Sequence, residues 1–364
     1  MKKRTWIPLI IIVVGVCLAL AGFAGGGMQK AWIDRSGFHL GGSELGNMVT
    51  VNEKYNNIRG IDLNVDYLAR ITFKEGNGFS VQGQNYERFG GLNVRADGGK
   101  LYVEAKRTGR WLNFGLDDFR QWNTDNTWIE ITYPKGAELN VVTAIIGAGR
   151  VYASDLNCDE LYLDNSFGKI DVTAVNCDRL TIKSSSGDTQ VSDINVKGSA
   201  TISNDFGKLE LSNATADNLS VKLSAGDARA RNVRANTLKM TNDFGKITLD
   251  GATTNDLTLR LSSGDLSAGD IKTGILFVES SFGRVGIENL ELSGRGEIEQ
   301  SSGDTQVSLN MSENDLSYDL NASAGSVKVG GNSYGGSVVN RVTGVDASLR
   351  INSDLGGISL KFMR

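Results

Sequence analysis

Histidine is nearly missing from this chain. His39 is the only one in 364 residues, beside three cysteines (Cys17, Cys158, Cys177) and two prolines (Pro8, Pro134). One imidazole, close to an apolar N-terminal run, and three scattered thiols leave little material for a His-based triad, a zinc centre or a disulfide framework. No Walker loop, G-x-S-x-G or H-E-x-x-H motif takes their place, and the sequence implies no cofactor and no metal. A surplus of positive charge is also lacking. Lys2, Lys3, Arg4 and Lys30 precede the first acidic residue, so the rest of the chain sets 34 basic residues against 42 acidic ones, a charge of −8. A nucleic-acid partner calls for the opposite balance. Glycine is plentiful, at 45 residues, in a chain that is 40% hydrophobic and 22% charged. Such a composition buries a large core, and abundant glycine with almost no proline predicts many tight turns between short strands.

Charge is absent altogether from Thr5 to Gln29, and Trp6–Ala24 within that stretch (WIPLIIIVVGVCLALAGFA) is apolar enough to cross a bilayer as a helix. Lys2, Lys3 and Arg4 ahead of it hold the N-terminus in the cytoplasm and send everything beyond Gln29 outward. The expectation is an N-terminal transmembrane helix, a signal-anchor over residues 1–27, in a single-pass protein of the cell membrane with an extracytoplasmic C-terminal domain. Gly22-Phe23-Ala24 also offers a small-residue cleavage site, a rival reading that length and flanks disfavour. Cys17 is then a membrane-facing residue.

Beyond Pro134, glycine recurs at positions 149, 168, 187, 207, 226, 245, 264, 283, 303 and 325, in steps of 19 or 20 residues and a last step of 22. A period this regular is the mark of a solenoid. Two and four residues after the glycines stand apolar side chains such as Ile170, Val172, Leu209, Leu211, Ile247 and Leu249; seven residues before them stand Leu161, Leu180, Leu219, Leu238, Leu257 and Leu276. Both sets alternate with polar residues, the period of a half-buried strand. Strand, turn, strand, turn in one period fits a single coil of a parallel β-solenoid, with coils stacked about 4.8 Å apart. The expected fold is therefore all-β: a β-helix-like parallel β-solenoid with a C-terminal cap over residues 136–364, preceded by a β-rich capping region over residues 28–135.

The glycine turns are of two kinds in alternation. Phe-Gly-Lys or Phe-Gly-Arg turns supply Lys169, Lys208, Lys246 and Arg284; Ser-Gly-Asp or Ala-Gly-Asp turns supply Asp188, Asp227, Asp265 and Asp304. Identical charges stacked in register would repel. Alternating the sign predicts a structural ladder of ion pairs along one edge that also penalises a one-coil slip, while the phenylalanines are expected to pack over every second corner. The same alternation sets a cation between successive aspartates, which suits neither a calcium cage nor a retaining glycosidase. Cys158 and Cys177 fall one coil apart in matching Asn-Cys-Asp triplets. Stacking brings them within disulfide range, so they form either a disulfide or a pair of stacked thiols, and the small residues later in the column favour thiols.

Residues 28 to 135 lack the repeat but hold four of the five tryptophans. The stretch RWLNFGLDDFRQW gathers Trp111, Phe114, Phe119 and Trp122. An open solenoid end needs covering, so this loop is either part of a cap or a candidate binding loop for a glycan, a lipid headgroup or an envelope protein.

An N-terminal anchor, the strand Trp128-Ile129-Glu130-Ile131-Thr132-Tyr133-Pro134, and then coils alternating between Ser-Ser-Gly-Asp and Phe-Gly-Lys turns make residues 55–360 resemble the bacterial β-strand-repeat "putative adhesin" family, to which LiaG-like cell-envelope proteins belong. The resemblance implies an extracytoplasmic β-solenoid of the cell envelope with no catalytic residues to transfer. The functional expectation is a non-enzymatic, adhesin-like or envelope-stress accessory protein. A self-assembling envelope scaffold and a β-helical polysaccharide-active enzyme are the alternatives.

Overall fold

The computed structural model describes residues 31–34, 37–40, 47–87, 91–106 and 127–363. The segment Trp6–Ala24 lies outside them, and among the described residues no helix is long and apolar enough to cross a membrane. The chain divides into two units, Met1–Asn47 with Thr108–Asn123, and Met48–Arg107 with Thr124–Arg364. In the first unit the described residues form a hairpin of β1 (Ala31–Asp34) and β2 (Gly37–Leu40), antiparallel, with the His39 backbone opposite Trp32.

The second unit is a parallel β-solenoid with interleaved ends. Its first strands are β3 (Met48–Tyr55), β4 (Gly60–Gly76), β5 (Phe79–Tyr86), β6 (Asn93–Asp97), β7 (Lys100–Ala105) and β8 (Trp128–Pro134). The run β9 (Glu138–Ser186) then winds through several corners without losing its ladder, and β10 (Thr189–Phe206), β11 (Leu209–Ala225), β12 (Ala228–Phe244), β13 (Ile247–Ser263) and β14 (Leu266–Phe282) follow at one per coil. Each pairs in parallel with the next, Leu219 beside Leu238 and Leu238 beside Leu257, so the predicted leucine column exists and is buried. Each fully buried side chain of this kind stabilises by roughly 1.5–3 kcal/mol.

The expected boundary at residue 135 does not separate cap from stack. Strand β4 pairs in parallel with β9 from Gly60 opposite Val141 to Phe73 opposite Ala153, and β7 and β8 pair in parallel with the other side of β4. These coils escaped the period count because loops of unequal length replace the glycine turn. Strands β3, β5 and β6 then add antiparallel partners outside them. Covering a parallel edge with hairpins blunts its tendency to pair with other chains.

Chain order is also broken at the other end. After β15 (Val285–Leu292), β16 (Arg295–Ser302) and β17 (Thr305–Leu309) come β18 (Ser317–Ala324), β19 (Val327–Val329), β20 (Asn332–Tyr334), β21 (Ser337–Asn340), β22 (Ser348–Leu355) and β23 (Ile358–Phe362). The last two strands insert between their predecessors: β22 lies between β16 and β18, and β23 between β17 and β19, all parallel. Strands β20 and β21 close the outer edge antiparallel. The glycine that stacks on Gly303 is accordingly Gly356, and Gly325 stacks on Gly356, so the 22-residue step is a step in sequence and not in space.

Candidate functional site

The surface most fully determined by the repeat is the ridge of glycine corners. From Gly149 to Gly303 each corner glycine has φ between 119° and 141°, a region closed to residues with a side chain. The carbonyl of each glycine points along the stack at the next one. A Cβ placed on Gly226 would lie 1.8 Å from the Gly207 oxygen, and one on Gly245 would lie 2.0 Å from that of Gly226. Glycine is required here by a neighbouring coil as well as by its own turn.

On the inner side of the ridge, buried amides meet these carbonyls. Asn204 Nδ2 donates to the Gly187 oxygen, Asn242 Nδ2 to that of Gly226 and Gln300 Nε2 to that of Gly283, each at 2.8 Å. A reading keyed to apolar residues passes over this column, although its signal is an amide three positions before the corner glycine, Asn165, Asn204 and Asn242 at Phe-Gly turns and Gln300 at a Ser-Gly-Asp turn.

The charged column behaves differently from the expected ladder of ion pairs. Asp188 Oδ1 accepts the backbone N–H of Lys208 at 3.1 Å, Asp227 that of Lys246 at 3.0 Å, Asp265 that of Arg284 at 2.9 Å and Asp304 that of Gly357 at 2.9 Å. The aspartates cap main-chain donors of the following coil. Lys169 pairs instead with Asp171 at 3.2 Å and Lys208 with Glu210 at 2.5 Å, two residues further along the chain; the Lys208 ammonium holds the Glu210 carboxyl below its ordinary range. The physical reason is reach: a corner amide without a backbone acceptor lies closer to the short Asp side chain than the lysine ammonium does, and an exposed ion pair contributes too little to draw the carboxylate away.

The phenylalanines of the alternate corners also depart from expectation. Phe167, Phe206, Phe244 and Phe282 stand 61–63% exposed, and Leu355 continues the row at 60%. Their neighbours in register are small, Ser186, Ala225, Ser263 and Ser302, and offer nothing to cover a ring.

Six residues after each glycine from Gly149 to Gly283 comes the opposite corner, with Asp155, Ala174, Asp193, Asn213, Asn232, Gly251, Asp270 and Asn289 at φ between 51° and 74°. Asn and Asp tolerate this left-handed conformation. Here they also form a ladder: Asn213 Nδ2 donates to Asp193 Oδ1 at 2.8 Å, Asn232 to Asn213 at 3.0 Å, and Asn289 to Asp270.

Near the first coils, a cleft of about 420 Å³ is lined by Glu138, Asp159, Asp178 and Lys197 around Cys158 and Cys177. The two cysteines are free thiols, 8% and 4% exposed. The hydrogen bond they share, burial and the adjacent Asp159 and Asp178 carboxylates push the Cys158 thiol up. The same shared hydrogen bond lowers the Cys177 thiol, and thiolate is the reactive form, so what protects both is burial: in residues 28–364 neither thiol is expected to react with a chromogenic disulfide reagent in the native state, and both in denaturant without prior reduction. One disulfide and no free thiol in denaturant would contradict this structure. Among the described residues, no group of three or more His, Cys, Asp or Glu side chains is placed to hold a metal ion. Trp111, Phe114, Phe119 and Trp122 lie outside the described residues.

A parallel stack with glycine corners, polar pegs and hairpin-covered ends defines a class, the non-globular repeat proteins that build a β-solenoid from short coils. Within that class the chain belongs to the Toastrack DUF4097 family, whose pattern matches residues 58–227 and again 197–356. The structure is similar to a "putative adhesin" from Bacteroides fragilis (12% identity, 87% of this chain and 97% of the other, TM-score 0.29). It is also similar to a "putative adhesin" from Parabacteroides distasonis (9% identity, 86% and 97%, TM-score 0.31). A "putative lipid binding protein" from the same species matches at 14% identity over 88% and 98%, with a TM-score of 0.33. No curated protein matches the sequence.

Proposed function

We propose that this chain is a non-enzymatic protein of the bacterial cell envelope, held in the membrane by residues 1–27, whose extracytoplasmic solenoid is a rigid mount for adhesin-like binding. The observation that carries the non-enzymatic reading is the engagement of the aspartate column. The ridge aspartates stand two coils apart, about 9.6 Å, each with one oxygen on a backbone amide at 2.9–3.1 Å, so the column presents no close carboxylate pair of the kind a retaining glycosidase uses. The binding reading rests on the cluster of Trp111, Phe114, Phe119 and Trp122, an amphipathic aromatic stretch of the kind that meets glycan rings, lipid headgroups or a protein partner.

Residues 28–364 incubated with cell-wall sacculi and with anionic liposomes are expected to sediment with one of them, and the double variant Trp111→Ala/Trp122→Ala to lose at least tenfold in affinity. Retention by the variant equal to that of the parent would remove the loop from the reading. New reducing ends released from the sacculi would replace the binding protein with an enzyme.

A further inference from the structure

The exposed phenylalanine ridge has a self-complementary pattern that the adhesin-like reading does not use. Two columns flank the corner glycines. The column before them alternates large and small, Phe with Ser or Ala, and the column after them alternates positive and negative. Both have the same two-coil period, about 9.6 Å at the spacing of a parallel stack. An exposed apolar row of this length on a surface otherwise rich in polar groups marks an interaction site.

From these two columns we infer that the ridge pairs with the ridge of a second copy of this chain, antiparallel, about a two-fold axis that crosses the ridge between Gly226 and Gly245. A two-fold axis lying in the interface and perpendicular to the stack sets each column against its own counterpart on the second copy. With the axis between those glycines, Phe244 seats against the second copy's Ala225 and Phe206 against its Ser263. In the same register Lys246 meets the second copy's Asp227, and Lys208 meets its Asp265. The matching continues outward to Phe167 against Ser302 and Phe282 against Ser186, so four rings of each copy enter four gaps of the other. A shift by one coil places ring on ring and like charge on like charge at every step, which excludes the neighbouring registers. A parallel pairing sets the rings against the charged column and loses both matches.

Two of the four ridge cations are available for this, and Lys169 and Lys208 would exchange their own-chain partners Asp171 and Glu210 for the second copy's aspartates. Each aspartate receives its backbone N–H through Oδ1, and a carboxylate has further acceptor sites. Among the described residues, neither Lys246 nor Arg284 pairs with a carboxylate of its own chain. Eight rings, each about three-fifths exposed, supply on the order of 1,000 Å² of apolar surface to the contact, the low end of specific interfaces. The pair is therefore expected to be reversible, and to favour copies held close together.

The test uses the full chain in mild detergent, with Cys17→Ser to remove the thiol outside the solenoid. Sedimentation velocity is expected to show a concentration-dependent dimer, and Phe206→Asp/Phe244→Asp to weaken it at least tenfold with an unchanged thermal transition. The register is read by Ser186→Cys/Phe282→Cys. In one chain these positions are five coils apart, about 24 Å, beyond disulfide reach, but they face each other between copies. Mild oxidation is expected to give a covalent dimer from the double variant and none from either single variant. A chain that stays monomeric through the millimolar range overturns the inference. So does a dimer that the Phe206→Asp/Phe244→Asp variant retains, one that fails to cross-link, or a monomer whose ridge variant loses retention on sacculi instead.

Discussion

Replacing Gly245 by alanine is expected to destabilise the solenoid by about 3–5 kcal/mol, among the largest effects of any single methyl group in this chain. The added Cβ would meet the Gly226 oxygen at 2.0 Å and its carbonyl carbon at 2.8 Å, at a φ of 123°. Two penalties coincide: a backbone conformation hostile to side chains, and an overlap with main-chain atoms that cannot rotate away. Separating the coils would relieve the overlap only by stretching the bonds that hold the register, Gly226 N–H to the Phe244 oxygen at 2.9 Å and Ala228 N–H to the Lys246 oxygen at 2.8 Å. Gly286→Ala is the control. Its Cβ would find nothing closer than the Leu266 oxygen at 3.7 Å, and alanine in a strand is worth roughly 0.5–1 kcal/mol over glycine. Urea unfolding of the two variants should move in opposite directions; equal losses at both positions would show that the stacked carbonyl does not make glycine obligatory.

The second large effect is expected for Leu238→Lys. Leu238 is completely buried between Leu219 and Leu257 in the same column. Losing a buried leucine costs about 2–5 kcal/mol, and an ammonium in its place has no carboxylate within the column to pair with, which adds several kcal/mol more. Since each coil contacts chiefly its two neighbours, the damage should be local at first. Hydrogen exchange is expected to report lost protection across β11, β12 and β13 before β4 or β22. Lys239→Ala, one residue on and facing solvent, should stay within about 0.5 kcal/mol of the parent. An unchanged melt for Leu238→Lys would mean that the column is not the core.

The two predictions differ in how far the sequence anticipates them. Leu238 was legible as core because burial imposes a period of two on each strand and a period of one coil on each column, and both are visible as letters. Gly245 was legible as a turn, but the contact that makes it indispensable is with a carbonyl 19 residues earlier in the chain. The aspartates show the same division. Their alternation with Lys and Arg is written in the sequence; that Asp227 turns to the Lys246 amide instead of its ammonium depends on which corner amides lack a backbone acceptor. Phe244 was expected to be covered because it is apolar, and it is exposed because its neighbours Ala225 and Ser263 are too small to cover it.

The ends of the stack were the least legible part. A parallel ladder is satisfied by any strand of matching pattern, whatever its place in the chain, so nothing in the spacing of Gly303, Gly325 and Gly356 tells that Gly356 comes second and Gly325 third. Likewise β4 joins the stack without a glycine corner, because the Ala69 backbone can occupy the place opposite Gly149. By itself the sequence determined the class of fold, the coil length, the core columns and the position of every regular corner, since these are local demands of burial and backbone conformation that repeat until they stand out. Only the tertiary structure decided the order of the terminal coils, the partner of each corner side chain and which face of the ridge stays open, because each of these depends on where a different coil places a carbonyl, an amide or a small side chain.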